Sequence, residues 1–319
     1  MVFDALYYLS KKRFYGLIGL GLIMASFFYW RLPFTNFNLL IFNSLFLVGN
    51  ILFFDFLSYE LTGSSLFHSK KRGIKLSSRI LFVGIVFGLI LEIYAHWLGK
   101  LFYFPYWGLG FYLFVLIPGY AFYSLYLIET YLGVKAVIEH FFHKIRRGKE
   151  RVAGFKKLFM ALGLLGALGI GASTALIFLK TTFGVNAKEF ISIINNPFIN
   201  AAFSGWNSVI FWSATAISFW FFLEYLEYER HETSMLYETI KGNFAPVAAV
   251  FISAWISAIL YEVLNLPGGL WRYQNIPFSE ITLFGVPLFV YLFLWPSHYL
   301  ALFSLYRLIF KRESEEIWK

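Results

Sequence analysis

The sequence predicts an all-α polytopic membrane protein of about eight transmembrane helices, arranged as two tandem four-helix repeats. Three observations predict it. Of 319 residues, 59% are hydrophobic and only 14% are charged, against about 25% charged in soluble domains. Several apolar windows reach the roughly 20 residues needed to cross the hydrocarbon core. The second half of the chain also repeats features of the first, in the same order.

The windows lie near 14–31, 37–61, 79–101, 108–132, 156–180, 199–225, 244–265 and 283–308. Cytoplasmic loops collect Lys and Arg, so charge placement tests the count. With the N-terminus inside, the inner segments hold 22 of the 27 basic residues. Only Arg31, Lys100, Lys180, Lys188 and Arg272 fall outside. The net charge of +9 therefore marks topology and not a nucleic-acid partner. Both termini are expected in the cytoplasm, and the location is a multi-pass inner or plasma membrane.

The first window follows MVFDALYYLSKKR and ends without a small-residue cleavage pattern. It reads as a retained first helix. It shares a Gly-rich run with the fifth: GLIGLGLIMAS against GLLGALGIGAS. Glycines there (Gly163, Gly166, Gly169, Gly171) suit close helix packing. The second and sixth windows end in FFDFLSYELTGSSL and FLEYLEYERHETSM. That register sets Asp55 on Glu224, Glu60 on Glu229 and Ser65 on Ser234. One gap later, Glu92 meets Glu262, and Gly99 and Tyr103 meet Gly269 and Tyr273. The fourth and eighth windows each carry a proline (Pro118, Pro296), then FYSLY against LFSLY.

The predicted division is residues 1–132 as the first repeat, 133–155 as a basic cytoplasmic linker, and 156–319 as the second repeat. Four spans per repeat give both halves the same orientation, so the pseudo-twofold axis runs along the membrane normal. The linker, basic with interleaved apolar residues, is expected against anionic lipid.

No cysteine is present, which excludes thiolate metal sites, iron–sulfur clusters and cysteine nucleophiles. Phosphate-binding loops, HExxH and GxSxG are absent. His140 and His143 sit in the basic segment, and His231 sits among acids. No set of histidines makes a haem or di-iron site. No metal and no cofactor is expected.

Ionisable residues inside spans are costly and mark sites. Glu60 and Glu229 lie near the cytoplasmic boundary, where an acid can reach water. Asp55 and Glu224 form a further pair of acids. Glu92 and Glu262 lie deeper, in the outer half. Each precedes an aromatic segment broken by Gly and Pro, with Trp97, Tyr103 and Trp107 in the first and Trp271 and Tyr273 in the second. Aromatics make up 22% of the chain, more than interface belts require. A carboxyl in apolar surroundings keeps its proton near neutral pH and can act as a general acid. Aromatic faces stabilise the cation made when a polyene is protonated. The alternative is a pair of helix-packing acids that hydrogen-bond across the repeat axis.

The segment EVLNLPGGLWRYQNIPFSEITLFGVPLFVYLFLW (262–295) resembles integral-membrane carotenoid-biosynthesis proteins. Glu262, Gly269, Tyr273, Gly285–Val286–Pro287–Leu288 and Trp295 are similar to a pattern of carotenoid hydratases. Trp271 and Tyr273 are similar to a motif of heterodimer-type lycopene cyclases, although Pro277–Phe278–Ser279–Glu280 keeps one Glu where those cyclases have two. The resemblance implies acid–base chemistry on a C40-type isoprenoid, with Glu262 and either Glu92 or Glu280 handling protons. Trp295 and His298 then join the substrate-binding residues.

Three functions remain open: a carotenoid or isoprenoid hydratase, lyase, isomerase or cyclase without redox cofactor; a lipid or small-molecule transporter; and a non-catalytic subunit that binds quinone, pigment or lipid. The expected partners are membrane lipid, an apolar isoprenoid-like ligand and other membrane proteins, with no nucleic acid.

Overall fold

The computed structural model describes residues 14–29, 32, 35–67, 70–98, 102–104, 108–142, 155–183, 205–231, 234–265, 271–273, 276 and 278–310. These residues are mostly helical. The elements are α1 (Tyr15–Tyr29), α2 (Asn36–Thr62), α3 (Lys70–Leu91), α4 (Leu109–Phe141), α5 (Lys156–Phe183), α6 (Gly205–His231), the short α7 (Met235–Ile240), α8 (Ala245–Asn265) and α9 (Trp295–Ile309). A π-helical turn, Glu92–Leu98, extends α3, and another, Val290–Leu294, leads into α9. Strands β1 (Phe102–Tyr103) and β2 (Arg272–Tyr273) pair antiparallel, as do β3 (Thr282–Leu283) and β4 (Val286–Pro287).

Among the described residues, four helices are long and apolar enough to cross a membrane: Phe37–Thr62, Val115–Phe141, Lys156–Phe178 and Ala245–Asn265. The other four long helices fall in the remaining predicted windows but short of that standard. α1 has 15 residues, as has α9. α3 opens on Lys70–Lys71–Arg72, and α6 closes on Glu227, Glu229 and Arg230.

Local chemistry sets the ends. The Thr35 hydroxyl caps α2 by accepting from the Asn38 N–H, a standard N-cap. Gly63 ends α2 at φ +72°, a left-handed backbone that glycine adopts without steric cost. Ser234 caps α7 through the Tyr237 N–H.

Two expectations need correction. The window at 283–308 begins as a hairpin and not as helix, because Gly285 turns the chain at φ +73° and Pro287 has no N–H for a helix. The expected linker at 133–155 is still helix as far as Phe141. Val134, Lys135, Ala136 and Ile138 are buried there, because α4 runs on along its neighbours. Residues 143–154 lie outside the described set.

Packing follows one scheme in both halves. α1 packs on α2, α2 on α4, and α3 on α4; likewise α5 on α6, α6 on α9, and α8 on α9. Across the middle, α4 meets α8 and α3 meets α9. The close crossings explain the glycines. A Cβ on Gly19 would lie 2.7 Å from the Gly49 carbonyl oxygen and the Phe53 nitrogen. On Gly166 it would lie 2.7 Å from the Ser218 oxygen and the Phe222 nitrogen. Gly16 meets the Phe56 ring, and Gly163 the Tyr225 ring. Gly171, expected in the same role, has nothing within 4 Å.

Candidate functional site

Asp55 and Glu224 are both fully buried, and each ties down the turn after its helix. Asp55 accepts from the Phe67 N–H at 3.1 Å, the Ser65 hydroxyl at 2.9 Å and the Tyr15 hydroxyl at 3.0 Å. Glu224 accepts from the Leu236 N–H at 2.9 Å, Trp220 Nε1 at 2.9 Å and the Ser304 hydroxyl at 3.3 Å. In both cases the backbone donor follows the acid by 12 residues. These acids organise the fold. Glu60 and Glu229 are exposed, as their position near a helix end predicts.

Glu92 and Glu262 have a different setting. Glu92 opens the π-helical turn after α3 and is 1% exposed. π-Turns inside helices are frequent at functional sites. Here the widened turn sets His96 beside Glu92, with Nδ1 2.6 Å from Oε2. The hydroxyls of Tyr112 and Tyr120, both on α4, donate to the two oxygens of the same carboxyl. Glu262, near the end of α8, is fully buried. Its Oε1 accepts from the Tyr273 hydroxyl at 2.5 Å and from Trp295 Nε1 at 3.1 Å. Its Oε2 has no hydrogen-bond partner among the described residues. Burial beside Glu262 raises the Tyr273 hydroxyl well above the ordinary tyrosine range, so it stays protonated and donates.

The β1–β2 ladder joins the two acids. Phe102 stands opposite Tyr273, and Tyr103 opposite Arg272. The Phe102 ring stacks on His96 with centroids 5.2 Å apart. Asn265 steadies the strand's approach, donating to the Trp271 carbonyl at 3.0 Å and accepting from its N–H at 3.1 Å.

Beside Glu92 lies a cavity of about 560 Å³, within the range of small-molecule sites. Glu92, Tyr112 and Tyr120 line it, as do Trp271, Tyr273, Trp295 and His298. Glu262 stands behind Tyr273 and Trp295. Most of the remaining wall is apolar, from Leu39, Leu47, Phe87, Phe219 and Leu305 among others. The lining of α9 from Trp295 to Leu305 gives the cavity a length of about 15 Å at the helical rise. Tyr261 faces it from the core, with the rings of Phe46, Tyr123, Tyr126 and Trp295 all within 5.1–5.7 Å of its centroid.

Some expected site residues are elsewhere. Glu280 is exposed on the turn before β3 and does not line the cavity, because the hairpin carries it out to the surface. Tyr103 is 37% exposed and outside the lining, since alternation along β1 turns it away while Phe102 faces in. Trp107 and the Trp97 side chain lie outside the described residues.

The sequence reading missed His96, Tyr112, Tyr120, Tyr123 and Tyr261. Of the histidines, His298 alone was expected in the site, yet His96 is the one that holds Glu92. The signal was there: His96 follows Glu92 by one turn, and Tyr112 and Tyr120 share a helix face. Glu129 of α4 was missed too. It is fully buried without a hydrogen-bond partner among the described residues, outside the cavity lining.

No protein-family model, no curated protein and no solved structure matches this chain.

Proposed function

We propose that the chain is an eight-span membrane protein, built of two four-helix repeats about an axis along the membrane normal, with both termini in the cytoplasm. It binds a long apolar isoprenoid of the carotenoid type and carries out acid–base chemistry on it. The repeats are supported by the shared packing order, the matching glycine crossings and the two acid-anchored turns. They are supported also by the β1–β2 register: setting Tyr103 on Tyr273 turns the pair Phe102–Tyr273 into the pair Tyr103–Arg272.

The observation that carries the function is the Glu92 carboxyl. It is buried in the wall of a long apolar cavity and gripped by His96, Tyr112 and Tyr120. A purely structural acid would not require a cavity. In the proposed reaction, the proton shared by Glu92 and His96 passes to one carbon of a carbon–carbon double bond. The resulting cation lies among the faces of Tyr123, Tyr261 and Trp295, which stabilise positive charge. It then loses a neighbouring proton back to Glu92, moving the double bond, or adds water, which returns its proton and leaves an alcohol. The residues of the carotenoid-protein resemblance that line this cavity, Trp271, Tyr273 and Trp295, support the same class of ligand.

The test is co-expression with an acyclic polyene pathway, comparing the pigments formed by the native chain and by Glu92→Gln. A product formed by the native chain and lost in the variant supports the reading. An unchanged polyene pool with the native chain overturns it.

A further inference from the structure

Two residues of the mostly apolar cavity wall carry polar atoms that no neighbour answers. His298, on α9, lines the cavity, and its Nδ1 is buried without a hydrogen-bond partner among the described residues. Thr215, on α6, lines it too and is 5% exposed. Its hydroxyl is likewise buried without a partner among the described residues. A threonine inside a helix has a ready partner in the carbonyl four residues earlier. Thr130 bonds to Tyr126 in that way, and Thr239 to Met235, both at 2.9 Å. Thr215 does not. Asn43 and Ser297, also in the wall, donate to the carbonyls of Leu39 and Leu294 at 2.9 and 2.8 Å. Buried polar groups are nearly always hydrogen-bonded, so the two exceptions in one cavity wall call for a common partner.

The two groups stand close in level. Glu224 meets Ser304 and Glu227 meets Arg307, so α6 and α9 run side by side in a register of 80 residues. That register sets Thr215 level with Trp295, about 4.5 Å or one helical turn from His298 along the axis. The His298 ring lies 6.1 Å from the Phe87 ring. Phe87 precedes Glu92 by five residues, about 7.5 Å along α3. Both polar atoms lie just beneath the cavity surface. Histidine turns about a broad χ2, and threonine in a helix divides between two χ1 rotamers, so each atom is presented to an occupant by a side-chain rotation.

Resting on the ligand reading above, we infer that the occupant is an isoprenoid alcohol whose hydroxyl bonds to His298 and Thr215. A hydroxyl donates and accepts at once. It therefore satisfies either tautomer of a neutral imidazole together with the threonine. A hydrocarbon leaves both groups unanswered, which is how a site built for a hydroxyl rejects the analogue that lacks it. The contact also sets the ligand's register. Apolar walls alone let a long chain slide, whereas a hydroxyl held at His298 brings a double bond roughly 7.5 Å away beside Glu92.

Removing the polar atoms while keeping the shape tests this. His298→Phe retains a ring, Thr215→Val retains the branched side chain, and both are made singly and together. The native chain and the variants, in lipid discs, are equilibrated with farnesol or farnesene, an alcohol and a hydrocarbon of one skeleton. Dodecanol and dodecane form a second, straight-chain pair. Molecules retained per chain above protein-free discs are counted by mass spectrometry, and comparing each variant with the native chain cancels the partition of the probe into lipid. The native chain is expected to prefer farnesol to farnesene. That preference falls about tenfold or more in the double variant, while farnesene is held as before. A merely structural pair would leave the farnesol preference unchanged in the folded double variant, and that result overturns the inference. Equal retention of farnesol and farnesene by the native chain also overturns it and leaves the isoprenoid reading standing. If only dodecanol over dodecane shows a preference, and the double variant loses it, the hydroxyl site stands and the isoprenoid reading falls. Retention of none of the four probes overturns both.

Discussion

Phe102 stands opposite Tyr273 in a two-residue antiparallel ladder, and this pairing links the partners of two buried acids, Glu92 in the cavity wall and Glu262 behind it. The Phe102 ring stacks on His96, which holds Glu92. The Tyr273 hydroxyl holds Glu262. A disturbance at either acid therefore reaches the other through two strands.

Tyr273→Phe removes the short hydrogen bond to Glu262 and leaves the longer one from Trp295 Nε1. Loss of a partner to a buried polar group costs about 1–3 kcal/mol. Thermal unfolding in detergent is expected at a lower temperature than for the native chain. An unchanged midpoint would show that the Glu262 carboxyl gains nothing from this tyrosine.

The two acid-anchored turns give a paired prediction. Asp55→Ala orphans donors from Tyr15, Ser65 and Phe67, and Glu224→Ala those from Trp220, Leu236 and Ser304. At about 1 kcal/mol or more per buried orphan, each variant loses roughly 3 kcal/mol. Ligand retention in the fraction that folds is expected to be native-like, because neither acid lines the cavity. Selective ligand loss at normal stability would contradict this assignment.

Glycine substitutions separate packing from propensity. Gly19→Ala and Gly166→Ala place a methyl 2.7 Å from backbone atoms of the next helix and are expected to destabilise strongly. Gly21→Ala and Gly171→Ala meet nothing within 4 Å. They are expected to be neutral or to gain up to about 1 kcal/mol of helix propensity. Midpoints of thermal unfolding across the four variants check the split.

The absence of cysteine makes topology directly measurable. Ser279→Cys and His140→Cys, both at exposed positions, are expected to react with a membrane-impermeant maleimide from opposite sides. Ser279→Cys reacts from outside and His140→Cys only after the membrane is opened. Labelling of both from one side would refute the eight-span topology.

Much of this organisation was legible as pattern. The paired glycine runs anticipated the two helix crossings, because a Cβ at those positions would strike backbone. The Glu92–Glu262 register singled out two acids that are both buried and both accept from tyrosine hydroxyls, although only Glu92 lines the cavity. The contents of the cavity were not legible. His96, Tyr112 and Tyr120 converge on Glu92 through a π-turn and a neighbouring helix, and no local period announces that convergence. Glu280 looked like a site residue because it completes a motif, but Gly285 and Pro287 fold its segment outward.

The most direct test of the central claim is the fate of a solvent proton. The native chain in D₂O, supplied with an acyclic polyene, is expected to place deuterium on a carbon of the recovered pigment. The label appears at a shifted double bond or beside a new hydroxyl, and it disappears in Glu92→Gln while lycopene binding persists. Polyene recovered without carbon-bound deuterium from the native chain, or labelled equally by Glu92→Gln, would contradict the account.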